Sequence, residues 1–255
     1  MSSGPTRPLP QKTIGVLGGM SDAATADYYR LINARLNAHH GGWDNAEVVV
    51  VSVNFGNIQH FVRNSLWDAA RDYLAEKVDR LEGAGVDVVI CATNTMHRVV
   101  APIMAERRTA FIHIVDPTGA AVRAVGLRRV ALLGTAPTMR SPDMARRYAE
   151  KFGVEVMAPP EDNIGVVDRI IFDELVRRDV RPASRAEYLR VIDDLRAAGA
   201  EGVILGCTEI CLLIGQDDLP GFPVFDTTAL HVDAAVAFAL ATQPVRNAYD
   251  NTAVA

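Results

Sequence analysis

The sequence predicts an α/β protein with two pseudo-symmetric, Rossmann-like parallel-sheet domains and an active site at their interface. Short runs rich in Val and Ile alternate with amphipathic stretches of helical length, which is typical of parallel strands joined by helical crossovers. The order of these segments repeats within the 255-residue chain. Glycine and hydroxyl side chains follow the matched strands, at the sheet edge where such folds bind ligands.

The repeat is carried by three pairs of segments that occur in the same order. Residues 81–95 align without a gap on residues 195–209, and this frame places Thr93 on Cys207 and Asn94 on Thr208. Upstream, IGVLG at 14–18 matches VALLG at 130–134, and downstream VDPT at 115–118 matches FDTT at 225–228. Because equivalent residues of two facing halves approach a ligand from opposite sides, we expect residues 93 and 207 to face one central cleft.

The alternation and the repeat predict the following elements. We expect strands near 13–18, 47–53, 87–92, 111–115, 129–134, 154–158, 202–206 and 222–225. We expect helices near 22–39, 65–83, 95–106, 141–152, 164–178, 184–198, 209–214 and 228–241. The N-terminal domain is predicted to comprise 13–118 plus 228–241, the C-terminal domain 119–227, and the disordered tails 1–11 and 243–255.

Composition excludes several classes of partner. A net charge of −5 with scattered basic residues argues against nucleic acid, and no apolar run approaches the roughly 18 residues of a membrane span. Three cysteines without a secretory leader pattern predict a cytoplasmic protein with free thiols. None of the three lysines falls at a strand end, and the six histidines lack metal-ligand spacing, so we expect neither a cofactor nor a metal.

Cys207 is the candidate acid/base residue. It follows an apolar strand, and a helix starting there would lower the pKa of its thiol through the free backbone N–H groups of the first turn. The alternative is a small buried core residue, which is the usual role of an isolated cysteine. We expect core packing for Cys91 and inward packing for Cys211.

The turns after the strands are candidates for holding a carboxylate through backbone N–H groups and short polar side chains. His97, in the first turn after Asn94, is interpreted equally well as a cleft contact or as a residue that supports the site from behind. The predicted substrate-binding residues at these turns are Met20, Ser21, Asn94, Thr95, Thr135 and Thr208.

Four motifs together resemble the aspartate/glutamate racemase family of cofactor-independent amino-acid racemases. They are IGVLGGMS at 14–21, TNTMH at 93–97, GCTE at 206–209 and PVFDTTALH at 223–231. The resemblance implies an isomerase independent of pyridoxal phosphate, commonly a homodimer, in which two cysteines exchange the α-proton on opposite faces. By position these are Thr93 and Cys207, with His97 and Glu209 beside them, so the chain is similar to a broad-specificity subgroup with Thr in the first position.

The residues that would contact the substrate side chain depart from those of acidic-substrate relatives. A loop is predicted at 54–59, and Val166 stands where a lysine is expected, although Arg63 and Arg169 stay candidates. We therefore expect a neutral or polar amino acid, with Gln59 either a contact or an ordinary polar loop residue.

Three functions fit these observations. The leading one is a racemase or epimerase that uses Cys207. The others are a one-thiol lyase or isomerase of the decarboxylase type, and an amino-acid-binding protein that has lost catalysis.

Overall fold

In a computed structural model that describes residues 9–241, the chain forms two four-stranded parallel sheets, which confirms the predicted α/β class. The strand order is β2-β1-β3-β4 in the first sheet and β6-β5-β7-β8 in the second. The strands are β1 (Ile14–Gly18), β2 (Val48–Ser52), β3 (Val88–Cys91), β4 (Ala110–Ile112), β5 (Arg129–Gly134), β6 (Glu155–Met157), β7 (Val203–Gly206) and β8 (Val224–Asp226).

Helices cover both faces of each sheet, which is why β1, β3 and β7 are buried along their whole length and read as unbroken apolar runs. The helices are α1 (Asp22–His40), α2 (Phe55–Arg63), α3 (Trp67–Gly83), α4 (His97–Ala105), α5 (Val115–Ala124), α6 (Ala136–Met139), α7 (Pro142–Phe152), α8 (Glu161–Asp173), α9 (Pro182–Ala197) and α10 (Thr227–Leu240). None of the helices within 9–241 is long and apolar enough to cross a membrane.

Each half sends its last helix to the other half. In α5, Val115 and Val122 are buried in a core with β5 residues of the second sheet. In α10, Val232 and Ala235 are buried beside Ile14 of the first sheet, where each buried valine contributes about 1.5–3 kcal/mol. This exchange holds the two sheets together, and the predicted domain boundary at 118 falls inside α5.

The structure corrects several predicted elements. The predicted loop at 54–59 is the start of α2, which Asn54 caps by accepting a hydrogen bond from the Gly56 N–H. The predicted helix at 209–214 is only a 3₁₀ turn at Ile210–Leu212, and the predicted helix at 164–178 is α8 followed by a 3₁₀ turn at Leu175–Arg177. Helices α5 and α6 have no predicted counterpart.

The predicted tails lie outside the described residues, apart from 9–11. Gln11 is not free, because its Nε2 donates to the Asn45 carbonyl at 3.1 Å and its Oε1 accepts from the Glu47 N–H at 3.2 Å. The prediction of disorder is therefore wrong for Gln11.

Candidate active site

A cavity of about 440 Å³ lies between the two halves, and both Thr93 and Cys207 line it. Thr93 follows β3 of the first sheet, and Cys207 follows β7 of the second. Seven other predicted site residues also line the cavity: Met20, Gln59, Asn94, Thr95, Thr135, Thr208 and Glu209. Ser21 and His97 are not among its lining residues.

Strand register brings these turns to one edge of each sheet. Leu17 of β1 pairs with Cys91 of β3, and Gly134 of β5 pairs with Gly206 of β7, so the turns that follow leave side by side. Gly19 permits the first turn to pass close to the end of β2. Its φ is +86°, and a Cβ there would lie 2.2 Å from the Val53 carbonyl oxygen.

The carboxylate of Glu209 is the acceptor for three hydrogen bonds at the second-half strand end. The Cys207 thiol donates to Oε2 at 3.1 Å, and the Thr208 hydroxyl donates to the same oxygen at 2.5 Å. The Ser21 hydroxyl, which also caps α1, crosses from the first half and donates to Oε1 at 2.7 Å. Glu209 is buried, and its two carboxylate oxygens receive all three donors.

The predicted lowering of the Cys207 pKa is wrong. Burial raises the pKa of the thiol well above its usual value, and the adjacent Glu209 charge and its hydrogen bond raise it further. The expected helix at 209 is one 3₁₀ turn, so no aligned helix dipole offsets these effects. In the absence of substrate Cys207 is therefore a thiol at neutral pH.

The other two cysteines lie away from the cavity lining. Cys91 is fully buried, and burial raises its pKa to about 12, in agreement with the predicted core packing. Cys211 is exposed on the 3₁₀ turn, against the prediction of inward packing, although burial of its thiol and the nearby Asp226 raise the pKa of that thiol.

A second hydrogen-bonded contact crosses the cleft at the turns equivalent to those of Ser21 and Glu209. Thr95 follows β3 as Glu209 follows β7, and its hydroxyl lies 2.9 Å from the Thr135 hydroxyl after β5. The Thr138 hydroxyl is 3.1 Å from both. This contact contains hydroxyl groups only, whereas its counterpart contains a carboxylate.

Asn94 lines the cavity and has one acceptor without a partner. Its Nδ2 donates to the Thr227 hydroxyl at 3.1 Å, and that hydroxyl donates to the Leu205 carbonyl at 2.8 Å, which fixes the amide plane. Its Oδ1 is buried and makes no hydrogen bond with any described residue. A buried acceptor without a partner is costly, so a donor on a ligand would stabilise it.

His97 is buried behind Thr93 and fixes its backbone. Its Nδ1 lies 2.7 Å from the Thr93 carbonyl, and its Nε2 accepts the Ile114 N–H at 3.1 Å. Burial, with a smaller contribution from the nearby His231, lowers its pKa to about 3. With both nitrogens engaged and the ring neutral, His97 supports the site from behind and is unsuited to relay a proton.

Charges on the wall of the cavity are balanced. Of three lining arginines, Arg140 pairs with Glu161, and Arg169 lies 3.8 Å from Glu174. Arg63, at the C-terminal end of α2, forms no ion pair with any residue from 9 to 241. The lining charges are Arg63, Arg140 and Arg169 against Asp168, Asp173 and Glu209.

The contribution of α2 to the cavity was not predicted from the sequence. Phe55, Ile58 and Val62 line it at helical spacing, and this spacing was a signal available in the sequence. Within the described part of the chain, no group of three or more His, Cys, Asp or Glu side chains is arranged to hold a metal ion.

Several known proteins are similar to this chain in sequence and fold. A crystal structure assigned to the Asp/Glu racemases, from Yersinia pestis, is 39% identical over 90% of this chain and 100% of its own, with a TM-score of 0.84. An aspartate racemase homologue from Pyrococcus horikoshii is 30% identical over 89% of this chain and 98% of its own, with a TM-score of 0.75.

A glutamate racemase from Deinococcus radiodurans is 31% identical over 57% of this chain and 50% of its own, so the chain spans about half the length of the curated relatives it matches. The model of the Asp/Glu/hydantoin racemase family matches residues 17–235. The chain therefore belongs to the Asp/Glu/hydantoin racemase family.

Proposed function

We propose that this protein is a cofactor-independent amino-acid racemase or epimerase in which Cys207 exchanges the α-proton. One observation carries the proposal: Thr93 and Cys207 occupy equivalent strand ends in opposite halves and line the same cavity. Two opposed groups are what inversion at a carbon requires, since one removes a proton from one face and the other returns a proton to the opposite face.

Glu209 supplies the step that makes Cys207 a base. The thiol proton moves from Sγ to Oε2 along the existing 3.1 Å hydrogen bond, which leaves a thiolate and a carboxylic acid. The thiolate then takes the α-proton of the substrate, and the electron pair of that C–H bond remains on the substrate carbon as a carbanion. Protonation of that carbon from the Thr93 side, by the hydroxyl or a water, gives the other enantiomer, and the proton held by Glu209 then passes through solvent to the alkoxide or hydroxide left behind, which restores the starting state.

The remaining lining groups suit the common part of an amino acid. The free Oδ1 of Asn94 is an acceptor for the α-ammonium group, and Ser21 acts indirectly by holding Glu209. Backbone N–H groups at Met20 and Thr208, with the hydroxyls of Thr95 and Thr135, are donors for the α-carboxylate. The balanced wall charges and Gln59 favour a neutral or polar side chain.

The test measures the exchange of the α-proton of an amino acid with solvent deuterium. Purified protein is incubated in D₂O with a panel of amino acids of both hands, and loss of the α-proton signal is followed by ¹H NMR. Because general acid/base groups contribute about 10²–10⁴-fold, Cys207→Ala is expected to lower the exchange rate by that factor. The matched control is Cys211→Ser, at an exposed residue outside the cavity, which keeps the rate. Absence of exchange for every amino acid would contradict the proposal.

A one-thiol lyase or isomerase is the second candidate. It is favoured by the fact that Cys207 is the one thiol among the described lining residues, with a hydroxyl opposite. Such an enzyme would decarboxylate a prochiral malonate and protonate a single face. An enantiopure product from the malonate, without α-proton exchange on amino acids, would select this candidate over the racemase.

We also propose that the protein is a cytoplasmic homodimer, following the resemblance of its motifs. Light scattering coupled to size-exclusion chromatography at several concentrations tests the oligomeric state. A mass of about 28 kDa would contradict the dimer, since one chain has 27.6 kDa.

A further inference from the structure

The cavity includes a part that the exchange of an α-proton does not require. Besides the strand-end turns, it is lined by α2 of the first half and by α8 with the 3₁₀ turn after it in the second half. These elements contribute none of the groups assigned above to the reacting carbon, its ammonium or its carboxylate. At about 440 Å³ the cavity falls within the range of sites that hold whole drug-sized ligands.

From the first half, α2 contributes an apolar row to the cavity, beside its polar lining residues Gln59 and Arg63. Phe55, Ile58 and Val62 lie at positions i, i+3 and i+7, which places them in a row on one side of the helix. The row runs for about 10 Å along the helix axis, at 1.5 Å per residue. It starts directly after the end of β2, at the same sheet edge as Thr93.

From the second half, α8 and its 3₁₀ turn contribute three apolar lining residues, beside the charged Asp168, Arg169 and Asp173. Ile171 and Phe172 lie in the last turn of α8, and Val176 lies in the 3₁₀ turn. Ile171 is buried, whereas Phe172 and Val176 are half-buried. An apolar surface left partly open in a cavity gains from contact with apolar atoms of a ligand.

The charged residues of the wall do not make this compartment an anion site. Two of the three lining arginines face a glutamate outside the lining set, and the lining itself carries three acidic side chains, so no surplus of positive charge faces the cavity. Arg63 is exposed at the end of the α2 row, where water screens it.

We propose that the space between α2 and α8 is a compartment for an apolar side chain. This inference rests on the proposed function and deepens it: the substrates are α-amino acids with uncharged, largely apolar side chains of about four or more heavy atoms, such as methionine, leucine and phenylalanine. Each additional buried methylene raises kcat/KM by about fourfold. Val62 and Val176 determine specificity by setting the width of the compartment from opposite sides.

The test places a larger side chain on each wall of the compartment in turn. Val62→Phe and Val176→Phe fill the compartment from different halves, and Val125→Phe makes the same change at an exposed position outside the cavity. For each variant, kcat/KM for α-proton exchange is measured with alanine, methionine, phenylalanine and glutamate, and thermal unfolding is measured alongside. The ratio of kcat/KM for methionine to that for alanine is expected to fall at least about tenfold in both cavity variants and to stay constant in Val125→Phe.

The possible outcomes separate this inference from the proposed function. No exchange of any amino acid by the unaltered protein contradicts the function itself. Exchange of alanine at a rate equal to or above that of methionine overturns the compartment and leaves the function standing. An unchanged ratio of kcat/KM for methionine to that for alanine in both cavity variants also overturns the compartment and leaves the function standing. Preferential exchange of glutamate that is lost in Arg63→Ala overturns the compartment in favour of an acidic side chain.

Discussion

The ends of β3 and β7 occupy the same place in the repeat but carry different chemistry. After β7, Cys207 is followed two residues later by Glu209, which accepts its thiol hydrogen bond. After β3, Thr93 is followed two residues later by Thr95, which contacts only hydroxyls. The second half thus holds a thiol together with a carboxylate that can accept its proton. The first half holds only hydroxyl groups, which are weaker acids and bases. Symmetry of backbone therefore does not imply symmetry of catalysis, and we expect the two faces of the substrate to exchange at different rates.

The largest effect is expected when the acceptor of the complete pair is removed. Glu209→Gln keeps the shape of the side chain but cannot take the thiol proton, so we expect kcat for exchange to fall about 10²–10⁴-fold. Alkylation of Cys207 by iodoacetamide as a function of pH gives a second readout, in a Cys211→Ser background. Burial is the largest cause of the raised Cys207 pKa and remains, but the Glu209 charge and hydrogen bond are lost, so the midpoint moves to lower pH. Unchanged exchange in Glu209→Gln would remove Glu209 from the mechanism.

Giving the first half a thiol should make the two strand ends more alike. Thr93→Cys places a stronger base on the weak face, and we expect exchange of the enantiomer whose α-proton faces residue 93 to rise about tenfold. The gain is limited because Thr95, unlike Glu209, offers no carboxylate to accept the thiol proton. The control is Thr109→Cys, which adds a thiol in the first half outside the cavity lining. An equal gain in both variants would contradict opposed placement of residues 93 and 207.

The sequence was sufficient to predict this pairing of positions because a repeat preserves register. Buried parallel strands are continuous apolar runs, so 81–95 and 195–209 could be aligned and their ends located. The Cys207 pKa could not be predicted in the same way. It depends on burial and on which way the Glu209 side chain turns, and neither is encoded in local spacing.

The missed helices show which signals the sequence contained. The spacing of Phe55, Ile58 and Val62 predicts a helix, but the polar and glycine residues among them suggested a loop. Helix α5 was predictable from the repeat itself, since its first turn matches the start of α10. The packing of α10 with the first sheet was expected, since 228–241 was assigned to the N-terminal domain, but the reciprocal crossing of α5 to the second sheet was not, because its apolar face fits either sheet.

Behind the weaker strand end, neutral histidines should make stability depend on pH. Burial lowers the pKa of His97 to about 3 and that of His231 to about 4. In the unfolded chain each protonates near 6.5, so below that pH the unfolded state binds more protons and folding is weakened. Each histidine is expected to contribute about 1.4 kcal/mol per pH unit to the loss of unfolding free energy between pH 6.5 and its folded pKa. Urea unfolding at several pH values should show a shallower dependence in His97→Gln and in His231→Gln. An equal pH dependence of the unfolding free energy in the unaltered protein and in both variants would contradict the burial of these histidines in the neutral form.

The smallest effect is expected at the cross-cleft contact that distinguishes the two sides. Ser21 and Ser141 are both serine N-caps, of α1 and α7, but only Ser21 also donates to Glu209. Replacing either with Ala should lower the unfolding free energy by about 1 kcal/mol through loss of the cap. Only Ser21→Ala should also slow exchange, by about fivefold, because one hydrogen bond that orients the Glu209 carboxylate is worth about 1 kcal/mol. Ser21→Thr, which keeps the hydroxyl, should recover part of the rate. Equal rates in Ser21→Ala and Ser141→Ala would mean that this contact joins the two halves without affecting the thiol.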